Sequence, residues 1–191
     1  MAKLQLSNKI LTAEEYLNYN DGTDTRYELL NGLLIEMPPE SNLNARIAAF
    51  LFAHFLKILP FSRICHKDAE IQVASIKASF RIPDLMILSE AGEEALLGSS
   101  RNTITLEMPT PLLVIEVVSP DNPARDYRYK RSEYAVRGIP EYWIVDPAKQ
   151  QISVLTLNEG FYDDVVFQGE QAIVSQVFPN VELTANQILL L

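Results

Sequence analysis

The segment Pro111-Leu-Leu-Val-Ile-Glu-Val-Val118 is apolar throughout except for one carboxylate, Glu116. A continuous aliphatic run of this kind suits a central strand buried on both faces of a sheet. An unpaired anion in that setting either costs several kcal/mol or takes up a proton. Glu116 therefore demands a cation, a hydrogen-bond donor or a metal ion, and a plain salt bridge is the structural alternative. Side chains alternate along a strand, so Glu116 and Val118 share one face while Val117 points to the other.

The rest of the chain supplies elements that can surround such a strand. Thr12-Ala-Glu-Glu15 has capping-box spacing and predicts a short helix. Asn31-Gly32 lies between two apolar runs within 27–37 and predicts an N-terminal β-hairpin. Ile47, Phe50, Leu51, Phe55 and Ile58 recur at helical spacing and predict a helix that packs on the sheet and ends at Pro60, with His54 as a structural residue. Residues 69–76 and 82–88 read as two strands that pair, and the acidic, Gly-containing stretch 90–101 reads as a mobile excursion. Asn122-Pro123 predicts a helix start and Gly138 its end. Strands over 141–146, 152–157 and 162–167 and a short helix near 185–190 complete the pattern. Strands alternating with helices give an α/β fold with a mixed central β-sheet flanked by helices, and 191 residues fit a single domain over 1–191.

Asp84 follows Pro83 and opens the apolar run Leu85-Met-Ile-Leu88, which sets it at a strand start. Carboxylates from two neighbouring strands can converge at one sheet edge, where they supply hard oxygen ligands for Mg²⁺. Lys130 shares a broad helix face with Asp126, Tyr127 and Tyr134. If the tyrosines pack on the sheet, Lys130 is carried over the Glu116 strand, and Arg125 and Arg128 project from the opposite side. The bland alternative is a snorkelling lysine balanced by Asp126 or Glu133. Glu28 is a candidate further acid from the hairpin, able to complete a metal shell or position water. Tyr142 and Trp143 read as core aromatics.

A net charge of −9 argues against a general polyanion binder, so a nucleic-acid role needs a local basic patch or bound cations. Arg125, Arg128 and Arg131 are the candidate phosphate contacts. Cys65 is the sole cysteine, which excludes an internal disulfide and a Cys-based zinc cage. No secretory h-region opens the sequence and no apolar run reaches a membrane-spanning length, so a cytoplasmic protein with no membrane association is expected.

Taken together, Thr12-Ala-Glu-Glu-Tyr16, Arg26-Tyr-Glu-Leu-Leu-Asn-Gly32, Pro83-Asp84, Val114-Ile-Glu-Val-Val-Ser-Pro120, Asp126 with Lys130 and Tyr134, and Gly138-Ile-Pro-Glu-Tyr-Trp-Ile-Val-Asp-Pro147 resemble the Uma-two family. That family of restriction endonucleases, common in cyanobacteria, lies within the PD-(D/E)xK nuclease superfamily. The resemblance implies a restriction-endonuclease-like core in a homodimer, DNA as partner, and Mg²⁺ (with Mn²⁺ as substitute) as cofactor. Asp84 matches the metal-binding aspartate and Glu116 the acid of (D/E)xK. Val118 stands at the lysine position of that motif, and Lys130 stands where the family supplies the lysine from the next helix. Glu28 matches the acid of the Tyr-Glu-Leu block. The Val117 carbonyl is a metal ligand by analogy with the superfamily, and Asn44 replaces a histidine. The implied activity is phosphodiester hydrolysis of DNA. A catalytically silent homodimeric binding module of the same fold, and a site that cleaves RNA or a small phosphodiester, are the rival expectations.

Overall fold

The Thr12 hydroxyl accepts the Glu15 amide, and the Glu15 carboxylate accepts the Thr12 amide. This reciprocal pair closes the capping box of helix α1 (Ala13–Leu17). The computed structural model describes residues 9–120 and 122–191, so the expectation about the opening segment lies outside the described residues. After α1 come β1 (Tyr27–Leu30), β2 (Leu33–Glu36), α2 (Asn42–Phe55), β3 (Ile64–His66), β4 (Glu70–Val73), β5 (Ser79–Arg81), β6 (Leu85–Ile87) and α3 (Glu90–Leu96). Then follow β7 (Thr103–Ile104), β8 (Leu113–Val117), α4 (Arg131–Arg137), β9 (Glu141–Asp146), β10 (Gln151–Asn158), β11 (Phe161–Phe167) and α5 (Ala185–Leu189).

The strands form two sheets. One has the order β2-β1-β5-β4-β7, the other β11-β10-β9-β8-β6-β3. Both are mixed: β8 runs parallel to β9 and antiparallel to β6, and β4 runs parallel to β7 and antiparallel to β5. The β1–β2 hairpin closes with Leu30 opposite Leu33, and Asn31 and Gly32 take the positive φ values, 49° and 81°, that a two-residue turn requires.

The apolar segment around Glu116 is β8, buried along its whole length near the middle of the six-stranded sheet. Its alternation divides the core. Leu113, Ile115 and Val117 face a layer built with Ile47, Leu51 and Phe55 of α2 and Ile188 of α5. Val114 and Val118 face the other layer, with Ile71 and Ile104 of the five-stranded sheet and Tyr134 of α4. Tyr142 and Trp143 are core residues on opposite faces of β9. A smaller apolar cluster joins Leu11 and Tyr16 to Leu29, Leu34 and Phe80 under the hairpin.

Four expectations need correction. Residues 69–76 and 82–88 do not pair with each other: β4 pairs with β5, and β6 pairs with β3 and β8 in the other sheet. The chain leaves β5 at Arg81, and Pro83, which has no amide to donate to a ladder, marks the crossing between the sheets. Part of the stretch 90–101 is helix α3, opened by the Ser89 hydroxyl accepting the Gly92 amide. Helix α2 ends at Phe55, short of Pro60, which leaves Ile58 39% exposed instead of on the buried stripe. Finally, the helix from Pro123 to Arg137 is not α-helical throughout, because Arg125–Lys130 forms a π-helical turn.

Candidate active site

The crossing between the sheets sets the position of Asp84. In the β6–β8 register Leu85 faces Ile115, so two residues further along β8 the Val117 amide faces Pro83 and has no ladder partner there. The Asp84 Oδ2 accepts that amide at 2.7 Å. Among the described residues no hydrogen bond falls on its Oδ1, and the half-buried side chain lines a cleft of about 90 Å³ together with Glu116, Val117 and Lys130. Burial lifts the Asp84 carboxyl to about 6, although the Val117 amide and Lys130 both favour its anion.

Glu116 is 3% exposed. Its Oε1 accepts the Tyr134 hydroxyl at 2.6 Å and meets the Lys130 Nζ at 2.7 Å, while Oε2 carries no hydrogen bond among the described residues. Burial pushes its carboxyl well above the ordinary range despite the lysine, and the charges of Asp126 and Asp84 add to the push. Lys130 is 1% exposed and lies between three carboxylates, with Asp126 at 3.4 Å and Glu28 at 3.7 Å in addition to Glu116. Against the downward pull of burial, these three acids hold it as an ammonium.

Glu28 is not a wall of the cleft. Its carboxylate accepts Arg81 Nη1 at 3.0 Å and the Ile82 amide at 3.3 Å. Burial alone would raise its pKa, but Lys130, Arg81 and Arg125 together bring it down to about 2. Glu28, expected to complete a metal shell or position water, stands behind Lys130 and is engaged with Arg81. The arginine is itself buried and also pairs with Glu133, through Nε at 2.7 Å.

The three arginines separate. The π-helical turn changes which residues share a face, because its i→i+5 bonding stacks residues five apart. Arg125 is thereby brought to the Lys130 side and lines the cleft, which corrects its expected position on the opposite side. Arg128 is exposed. Arg131 is tied to β11, donating to the Tyr162 carbonyl at 2.7 Å and to Asp164 at 2.9 Å.

Two roles, those of Arg81 and Tyr134, escaped the sequence reading, and Asn44 was placed only by resemblance. Arg81 sits in a short strand beside Phe80, where a buried arginine signals a buried acid, though not which one. Tyr134, read as packing, also donates to Glu116. Asn44, on the first turn of α2, donates to the carbonyls of Val117 at 3.4 Å and Val118 at 3.1 Å.

The ion-paired cluster contains Glu28, Glu116, Asp126 and Glu133 against Arg81, Arg125 and Lys130, and Asp84 lies close enough for its charge to act on Glu116, so acids outnumber cations five to three. The acids whose anions are disfavoured are the two that line the cleft with a free oxygen, Asp84 and Glu116. Hard carboxylate oxygens in an acid-rich cleft suit a divalent ion that keeps much of its water, and such an ion would favour the anions that burial disfavours. Among the described residues no group of three or more His, Cys, Asp or Glu side chains has a metal-holding arrangement. Water and substrate oxygens would have to fill the remaining positions.

Two mixed sheets with paired acids on adjacent strands and a buried lysine from the following helix give a nuclease-like fold. The Uma2 family, described as "Putative restriction endonuclease", matches residues 13–186, and the chain belongs to that family. A protein from Anabaena variabilis, described as "a putative nuclease belonging to DUF820", has the same fold. The two structures agree with a TM-score of 0.74 at 15% identity, over 94% of this chain and 97% of that one. No curated protein matches the sequence.

Proposed function

We propose that the protein is a Mg²⁺-dependent endonuclease that hydrolyses phosphodiester bonds of DNA, with Asp84 and Glu116 holding the ion. The observation that carries this reading is the pair of cleft-lining carboxylates, each with one oxygen free of hydrogen bonds among the described residues, in a surround where acids outnumber cations. When bound, the ion supplies Lewis-acid polarisation of the phosphate and a water nucleophile near neutral pH. The Val117 carbonyl, on the strand edge that faces Asp84, is the third oxygen available to it.

Lys130 acts as a fixed positive charge. Three carboxylates keep it protonated, so it orients water or neutralises charge on the phosphate and does not abstract a proton. Glu28 is a positioning residue that holds Lys130 from behind. In the reaction, the water oxygen bonds to phosphorus as the bond to the leaving sugar oxygen breaks with its electron pair. The water gives one proton to solvent, and the leaving oxygen takes one from it.

A second reading is a catalytically silent homodimeric module that binds nucleic acid and retains the fold. Two observations favour it: Lys130 already partly neutralises Glu116, and the chain carries a net charge of −9. Titration of Mg²⁺ and Mn²⁺ by calorimetry into wild type and Asp84→Asn, followed by plasmid nicking, separates the two. The endonuclease reading expects binding by wild type, at least tenfold weaker binding by the variant (roughly the loss of one ligand's support), and metal-dependent nicking. Wild type that binds neither ion makes the acids structural and leaves the silent module. No helix among the described residues is long and apolar enough to cross a membrane.

A further inference from the structure

The cations around the cleft differ in one respect. Arg81 is bound by Glu28 and Glu133, Lys130 by three carboxylates, Lys67 by Glu40, and Arg26 by the Lys67 carbonyl and Asp68. Among the described residues, no hydrogen bond is made by any Arg125 nitrogen. Its Nε is buried, and its nearest carboxylate oxygen, Asp126 Oδ1, lies 3.7 Å away. Both Asp126 oxygens are buried and equally without a hydrogen bond. Buried polar groups are hydrogen-bonded in folded proteins as a rule, and a guanidinium that lines a cleft with its donors unused calls for a ligand rich in acceptors.

The backbone holds Arg125 in this position. In an α-helix, residues 125 and 130 would point in well-separated directions, whereas the π-helical turn stacks them while 126 stays one turn from 130. Such turns recur at functional sites. The result sets a planar fork of donors beside Lys130 and Glu116, in the cleft that Asp84 also lines. A guanidinium matches two oxygens of one phosphate in bidentate fashion, which an ammonium cannot do.

We propose that Arg125 is a catalytic residue that grips the non-bridging oxygens of the scissile phosphate, with the π-helical turn as the device that presents it. This rests on the phosphodiester-hydrolysis reading above. As the water oxygen bonds to phosphorus and the sugar oxygen departs, negative charge on those oxygens is met by Arg125. Asp126 is its resting counterion in the absence of substrate.

The test compares wild type with Arg125→Lys, which preserves the charge beside Asp126, and Arg125→Gln, with thermal unfolding as the check of fold. Single-turnover plasmid nicking in Mg²⁺ gives the rate constant, and DNA affinity is measured separately in Ca²⁺. The rate constant is expected to fall about 100-fold in Arg125→Gln, as on removing one transition-state donor. Arg125→Lys should recover only part of it, with affinity in both variants within about threefold of wild type, a loss confined to the transition state. Nicking within about twofold of wild type in Arg125→Gln, or a loss confined to affinity, overturns the catalytic role. If wild type does not nick at all, the hydrolysis reading fails by itself, and inorganic phosphate then decides the anion site. A saturable shift of the Arg125 Nε–H resonance, assigned by its absence in Arg125→Lys, supports the site. A resonance indifferent to phosphate overturns it.

Discussion

Asp84, Glu116 and Glu28 show how position decides what a carboxyl does. Asp84 has a folded pKa of about 6 against an ordinary 3.8, so the folded state holds its proton where the unfolded chain has lost it. Stability of the metal-free protein from this group is complete below about pH 4 and is lost as pH rises through about 6. Glu28 has the opposite sign: at about 2 against an ordinary 4.5, it stabilises above about pH 4.5 and loses that contribution as pH falls through about 2. In the proposed site, protons would compete with Mg²⁺ for Asp84 and Glu116, so Mg²⁺ affinity should fall on acidification through pH 6. Calorimetry at that pH should show heats that depend on the ionisation enthalpy of the buffer, whereas buffer-independent heats would mean that no proton leaves on binding. The approach of Lys130 to Glu116 could be read from sequence because Glu116 is set among apolar strand residues and Lys130 shares a helix face with Tyr127 and Tyr134. Arg81 could not, since its partner Glu28 is 53 residues away and nothing local points to it.

At the level of elements, signals carried by a few adjacent residues were the readable ones. The capping box of α1, the Asn31-Gly32 turn and the Gly138 end of α4, at φ 80°, all form where the local chemistry places them. Pairing of β4 with β5 was misread because strand partners are chosen by the sheet as a whole, and a three-residue strand such as β5 has too short a pattern to be seen. The π-helical turn was missed for a related reason, since apolar periodicity cannot distinguish one inserted residue in so short a helix. Gly32 sits at φ 81°, and a Cβ there would lie 2.6 Å from Ile10 Cγ2 and 3.0 Å from the Leu11 carbonyl. Gly32→Ala thus combines left-handed strain with overpacking and should cost roughly 2–4 kcal/mol. Urea unfolding should register this as a lowered midpoint with unchanged slope. An unchanged midpoint would mean that the contact between the hairpin turn and residues 10–11 gives way freely.

Across the molecule, Lys130 connects parts that are otherwise distinct. Glu28 belongs to β1 of the five-stranded sheet and Glu116 to β8 of the six-stranded one, and both reach the same ammonium. Lys130→Met leaves three buried carboxylates without their common counterion, and breaking a buried ion pair from one side costs about 3–5 kcal/mol. The variant should unfold at lower denaturant than wild type, and more so at pH 8 than at pH 5, where Asp84 and Glu116 carry protons more readily. Equal stability at both pH values would show that the acids relax into solvent when the lysine is gone. The two-sheet arrangement that creates this junction was the least legible feature of all. It depends on the chain crossing at Pro83, which looks like any proline before a strand until the register of both sheets is known.

The double duty of Lys130 bears on how such a molecule can change over generations. A lineage released from any need to cut would still be held to this lysine, because losing it loosens the fold. Asp84 has no such tie, being anchored by a single backbone amide. Among descendants of a common ancestor, position 84 is therefore free to drift first, and its identity, more than that of position 130, would record whether the proposed chemistry is still under selection.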